Sequence, residues 1–285
     1  MYERILLATD GSRGAEQATE YGIALAERFD AAIEALYVVD AGIEGIAGSE
    51  AAETVLEGTE KAGRRALAAI AERASEHHVH REVRHGAPYE EIVAHADERD
   101  VDLVVIGTSG KAKSPFGSTA ERVVTLASPP VLSVPDAEQA VDVPSLGTVN
   151  DVVVPLDGSD TAERAAEHAL ELSERFGSIV HAVYVVDTTI YDLEDAPRSI
   201  VGLLEEGGEE TVKAFTQQAE SVQVSSTWRV ERGKPADEIL ARIDAVEADL
   251  VVMGTRGRGG LPERLLGSTT RRILLDSTCP VLSLG

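Results

Sequence analysis

The chain has 285 residues, of which 50 are acidic and 26 basic, for a formal net charge of −24. A surface this negative repels polyanions, which excludes broad contacts with nucleic acid or anionic lipid. Apolar runs such as "LVVI" (103–106) and "LVVM" (250–253) are far too short to cross a bilayer.

In chain order, the first half alternates short apolar runs with helical patterns. "ILLAT" reads as a strand and is followed by "DGS" with Asp10; a helix is predicted over Ala15–Phe29 and a strand over "IEALYVV". A long helix follows, roughly Ala51–His77, then the strand "REVRHG" and a helix over Pro88–Glu98. Pro88 suits a first helical turn, where a missing N–H costs nothing. The strand "DLVVIG" runs into the glycine loop "GTSGKAKSPFGST" (107–119), then come a helix over Ser118–Leu126 and a last strand, "VLSV". The strands lack strict alternation, as buried parallel strands do when both faces are covered.

Residues 136–149 are polar and broken by Pro144 and Gly147, as a linker is. Beyond them the pattern repeats. "VVVPLDGS" (152–159) matches "ILLATDGS" (5–12), placing Asp157 opposite Asp10 at an offset of 147. "AVYVVD" matches "ALYVVD" at the same offset, and "PVLSL" matches "PVLSV" at 150. The register therefore slips by three residues, inside the glycine loop. The expected organisation is a domain over 1–135, a linker over 136–149 and a domain over 150–285. Each domain is α/β and Rossmann-like, with an open, doubly wound sheet of five parallel strands. Asp160 and Glu163 have capping-box spacing at the start of a helix in the second half.

In such sheets ligands sit beyond the carboxyl ends of the strands, where strand order reverses. The second loop, "GTRGRGGLPERLLGST" (254–269), lies there between a strand and a helix. Unpaired N–H groups at a helix start, the dipole and the side chains of Arg256, Arg258, Ser268 and Thr269 form a phosphate-binding arrangement. It is not a Walker A loop, since no lysine follows the last glycine, nor the dinucleotide G-x-G-x-x-G. Glycines needed only for turns are the plain alternative.

Gly254, Gly257, Gly267 and Ser268 give G-x2-G-x9-G-S, which resembles the nucleotide-binding signature of universal stress proteins. The likeness extends to "DGS", "YVVD", "G-x-P" and the terminal "PVLS" in both halves. It implies strand order 3-2-1-4-5 and dimer-like pairing through the last strand, either between the two halves or as a homodimer. It also implies ATP as the ligand, with or without Mg²⁺. Asp157 would meet the ribose or base and Val185 the adenine, while Gly254, Gly257, Gly267, Ser268 and Thr269 would hold the phosphates. In the first half the corresponding positions are Asp10, Val38, Gly107, Gly110, Gly117 and Ser118. Only six residues separate Gly110 from Gly117 there, so the second half is the preferred site; Lys111 and Lys113 keep some positive charge in the shorter loop.

Other features point nowhere specific. His77, His78 and His80 read as a solvated helix end rather than a metal site. Acidic pairs such as Glu90–Glu91 and Glu205–Glu206 read as solvated faces. Cys279, the single cysteine, excludes an intrachain disulfide framework and reads as a small buried hydrophobe. Ser12 and Ser159 start helices rather than act as nucleophiles, and no catalytic residue is assigned. "MYERILLATDG" lacks the apolar core of a signal peptide, so a cytoplasmic protein is expected. Five lysines beside 21 arginines suit a salt-rich cytoplasm, where screening relieves self-repulsion, although an ordinary acidic protein also fits. The reading favoured is a nucleotide-binding stress-response protein without dedicated catalysis. Slow Mg²⁺-dependent ATP hydrolysis or phosphoryl transfer and a non-nucleotide interaction module are the alternatives.

Overall fold

A computed structural model describes residues 1–40, 50–74, 78–108, 117–136, 149–189, 198–257 and 265–285. The chain divides into two compact units, Met1–Gly147 and Thr148–Gly285. Most of the expected linker lies outside the described residues.

The first unit contains β1 (Arg4–Thr9), α1 (Arg13–Phe29), β2 (Ala32–Asp40), α2 (Glu50–Arg73) and β3 (Val79–Gly86). It continues with α3 (Pro88–Glu98), β4 (Leu103–Gly107), α4 (Ser118–Leu126) and β5 (Val131–Val134). The strands are parallel in the order β3-β2-β1-β4-β5, the order the family resemblance implies. β1 and β4 are neighbours, so the strand order reverses between them. Ile5, Leu6, Leu7, Ile33, Leu103 and Val104 are almost wholly buried, as residues of a sheet covered on both faces must be.

The second unit repeats this with β6 (Asp151–Leu156), α5 (Asp160–Phe176), β7 (Ile179–Asp187), α6 (Arg198–Ser221) and β8 (Ser226–Gly233). Then come α7 (Pro235–Ala245), β9 (Leu250–Gly254), α8 (Ser268–Asp276) and β10 (Val281–Leu284). Its strand order is β8-β7-β6-β9-β10, again parallel, with the reversal between β6 and β9. In each unit a tyrosine ring packs against a helical glycine, Tyr37 in the core and Tyr184 beside the cleft. A Cβ on Gly63 of α2 would lie 2.7 Å from Tyr37 Cγ, and one on Gly208 of α6 would lie 2.9 Å from Tyr184 Cε1.

Several expectations shift locally. α5 is capped by Ser159, whose hydroxyl accepts the Ala162 N–H, so the capping-box register on Asp160 and Glu163 is displaced by one residue. Ser12 caps α1 in the same way, so the helix starts at Arg13, not Ala15. α2 ends at Arg73, short of the expected His77, which lies outside the described residues. His80 belongs to β3 rather than to a helix end, because it pairs in register with Glu34 on β2.

Candidate functional site

β6 hands the chain to α5 through Asp157, Gly158 and Ser159. Gly158 has φ +73°, a left-handed turn that a side chain would strain. The Ser159 N–H and hydroxyl donate to Asp157 Oδ1 at 3.0 and 2.6 Å, which fixes the carboxylate at the strand's end. Opposite, β9 delivers the glycine loop. Thr161 Oγ1 on α5 donates to the Arg256 carbonyl at 2.5 Å, tying the loop's first residues to the helix. A Cβ on Gly257 would run into Asp157 Oδ2, so only glycine lets the loop pass this carboxylate without displacing it.

The Gly267 N–H donates to the Thr255 carbonyl at 2.9 Å, and Thr270 Oγ1 donates to the Gly254 carbonyl at 3.0 Å. Both bonds pinch the base of the loop. α8 then begins without a side-chain cap and with no acidic residue in its first turn. Asp157, Val185, Gly254, Gly257, Gly267, Ser268 and Thr269 all line one cleft of about 410 Å³, together with Arg256 and apolar Pro235 and Ile239. That volume suits a small ligand. The cleft offers a guanidinium, hydroxyls and a helix N-terminus to an anion, a carboxylate to hydroxyl groups, and an aliphatic wall to a flat ring.

The first unit forms a smaller cleft, about 320 Å³, lined by Asp10, Val38, Gly107, Gly117 and Ser118. Gly110, Lys111, Lys113 and the second loop's Arg258 lie outside the described residues. The first loop is pinched by the same bond, Gly117 N–H to the Thr108 carbonyl at 2.8 Å. Eight residues intervene between those anchors, against eleven in the second unit, so the whole length difference falls on the loop itself. Three further positions differ. Gly14 stands where Thr161 ties the loop, Ala120 where Thr270 bonds Gly254, and Glu121 where Arg271 enters the first turn of the helix. An acidic first turn already answers the dipole of α4, whereas α8 keeps its positive end. These contributors escaped the sequence reading, yet laying the two copies side by side would have exposed them.

Gly254 has a packing role that its place in the motif conceals. A Cβ there would lie 2.9 Å from the Thr161 carbonyl carbon, and one on Gly107 would lie 2.8 Å from that of Gly14. Both glycines let the first helix of their unit close onto the sheet.

The model of the universal stress protein family matches residues 1–135 and again 148–284. The chain belongs to the universal stress protein family. A universal stress protein of Methanocaldococcus jannaschii is 39% identical over 134 residues, covering 46% of this chain and 79% of its own. One from Mycolicibacterium smegmatis is 29% identical over 294 residues and covers 98% of this chain and 95% of its own. A solved universal stress protein from Archaeoglobus fulgidus superposes with a TM-score of 0.71 at 20% identity, covering 100% of this chain and 98% of that one. The long matches extend across both copies of the fold.

Elsewhere in this universal stress protein, Cys279 is buried and burial pushes its thiol up to about 12, in keeping with a packing role. Among the described residues no helix is long and apolar enough to cross a membrane. The acidic pairs are less idle than expected. Glu205 is ion-paired with Arg232, which lowers its pKa, and Glu91 lies 3.8 Å from Arg84.

Proposed function

We propose that this universal stress protein binds a nucleotide, ATP foremost, chiefly in its second unit, and serves as a non-enzymatic stress-response sensor or regulator. The observation that carries this is the convergence of a fixed carboxylate, a tied glycine loop and an uncapped helix N-terminus on one cleft. The residues fit the ligand. Gly257 leaves open the passage beside Asp157 that a Cβ would fill. Gly257, Gly267, Ser268 and Thr269 would hold the phosphates through backbone N–H and hydroxyl donors, with Arg256 supplying charge. Val185 and the aliphatic wall would face the adenine, and Asp157 the ribose. A Mg²⁺ ion carried in with the phosphates would find a carboxylate in Asp157.

Binding would shift the protein toward whichever conformation holds the nucleotide more tightly. The protein works in a salt-rich cytoplasm, a reading supported by the net charge of −24 and the shortage of lysine. Calorimetric titration of nucleotide-free protein with ATP and with adenosine, in low and high KCl, tests the proposal. Saturable ATP binding that adenosine does not match is expected. Absence of ATP binding at every salt concentration overturns it.

A further inference from the structure

Glu34 lies early in β2, six residues before Asp40 at the cleft, a separation of roughly 20 Å along the strand. Its register partner on β3 is His80, and α3 lays His95 against both. Glu34 is 3% exposed and His95 0%. One side of this buried carboxylate is accounted for: Oε1 accepts Arg99 at 2.9 Å, with Arg4 Nε at 3.9 Å. The other oxygen, Oε2, faces two imidazoles, with His80 Nδ1 at 2.8 Å and His95 Nε2 at 3.3 Å. His80 Nδ1 is buried and makes no directed hydrogen bond despite that proximity. A carboxylate oxygen and two ring nitrogens thus converge, all within 4.8 Å of one another.

We propose that Glu34, His80 and His95 form a binding site for a divalent transition-metal ion, zinc by preference. Imidazole and carboxylate are the ligand types of such ions. Bonds of about 2.0–2.2 Å at tetrahedral angles separate neighbouring donor atoms by roughly 3.3–3.6 Å. Glu34 Oε2 and His95 Nε2 already stand at 3.3 Å, and His80, whose side chain is 39% exposed, has room to draw back. Water fills the fourth position on that open side.

The surroundings of His95 place a carboxylate close behind the ring, within a small movement of a hydrogen bond. The outward nitrogen of His95, Nδ1, makes no hydrogen bond; a carboxylate oxygen, Glu82 Oε2, stands 3.6 Å away, and Glu82 is itself held by Arg84 at 2.7 Å. A carboxylate behind a ligating imidazole orients the ring and fixes its tautomer.

The second unit supplies an internal control. There His181 replaces Glu34, Thr227 replaces His80 and Arg242 replaces His95. Both nitrogens of His181 are engaged, by Thr227 at 2.8 Å and Asp151 at 2.7 Å, and the guanidinium of Arg242 stands at 3.1 Å. A cation has no donor set in that place, so the expected stoichiometry is one ion per chain.

The test is zinc titration of the chelator-treated full-length protein, followed by calorimetry against a competing chelator and by the visible spectrum of Co²⁺ in place of zinc. One equivalent is expected, with a tetrahedral cobalt band. His80→Ala changes a part-exposed residue and should abolish the band with circular dichroism unchanged. Glu82→Gln should weaken zinc about tenfold. Gly267→Val should leave zinc binding as it is, which separates this site from the nucleotide cleft. If His80→Ala fails to fold, His80→Asn and the wild-type cobalt spectrum decide. No zinc uptake by the wild type, or uptake undiminished by either His80 substitution, overturns the proposal and leaves Glu34 in a plain ion-pair network.

Discussion

The two halves of this chain share a backbone plan and differ in what they built on it. Both keep the left-handed glycine after the first strand (Gly11 and Gly158), the serine cap and the bond that pinches the glycine loop. The second half adds three loop residues, the Thr161 tie and the Thr270 bond, and presents Arg271 where the first presents Glu121. At the other end of the sheet the acid and base have changed places: Arg4 beside Glu34 in the first half, Asp151 beside His181 in the second. A duplicated fold can therefore hold its packing while each copy's polar sites drift apart. Glycines of one motif also divide their work, Gly107 and Gly254 serving helix packing and Gly257 keeping open the passage beside Asp157.

Substitutions that attack what the halves share should have the largest effects. Gly107→Val and Gly254→Val each drive a Cβ into a helix backbone, at 2.8 and 2.9 Å, and should destabilise their own unit by about 1–3 kcal/mol in urea unfolding. Comparable losses in both halves are expected.

A buried histidine of the second half comes next. Burial pushes His168 on α5 down to about 4 from its ordinary 6.5, while Tyr21 occupies the matching place on α1. As pH falls below 6.5 the unfolded chain takes up this proton and the folded one does not, so stability declines until pH 4. His168→Tyr should remove a dependence on the order of 2 kcal/mol, measured as the difference in urea midpoint between the two proteins from pH 7 to 4.5.

Smaller effects belong to the cleft of the second unit. Thr161→Ala releases the loop and should weaken ATP by about 1 kcal/mol, roughly fivefold, in a binding titration. Arg271→Glu imposes the first half's charge on α8 and should cost about 0.5–1 kcal/mol of affinity. Glu121→Arg should favour anions at the first cleft to a similar degree.

Much of this was legible in the sequence, because repetition supplied the register. Strand and helix positions followed from buried apolar runs and from Pro88 at a helix start. The second cleft gathers the residues that the loop spacing and "DGS" singled out, together with Val185, which the family resemblance named, and an aliphatic wall that no motif marked. What stayed hidden was long-range and polar. Nothing local marks Thr161 as a partner of Arg256, 95 residues away, and a glycine's packing role depends on the helix that crosses it. His80 was misplaced because three nearby histidines resemble a polar helix end, whereas its register with Glu34 is a property of the sheet.

The central claim, that the second half is the principal nucleotide site, is tested most directly by ATP titration of two matched variants. Gly117→Val and Gly267→Val place the same side chain at the same helix start, with Cβ contacts of 3.6 Å to the Thr108 carbonyl oxygen and 3.2 Å to that of Thr255. Near-stoichiometric binding in the wild type, kept by Gly117→Val and lost by a folded Gly267→Val, is the result predicted. Binding that survives Gly267→Val but disappears with Gly117→Val would contradict it.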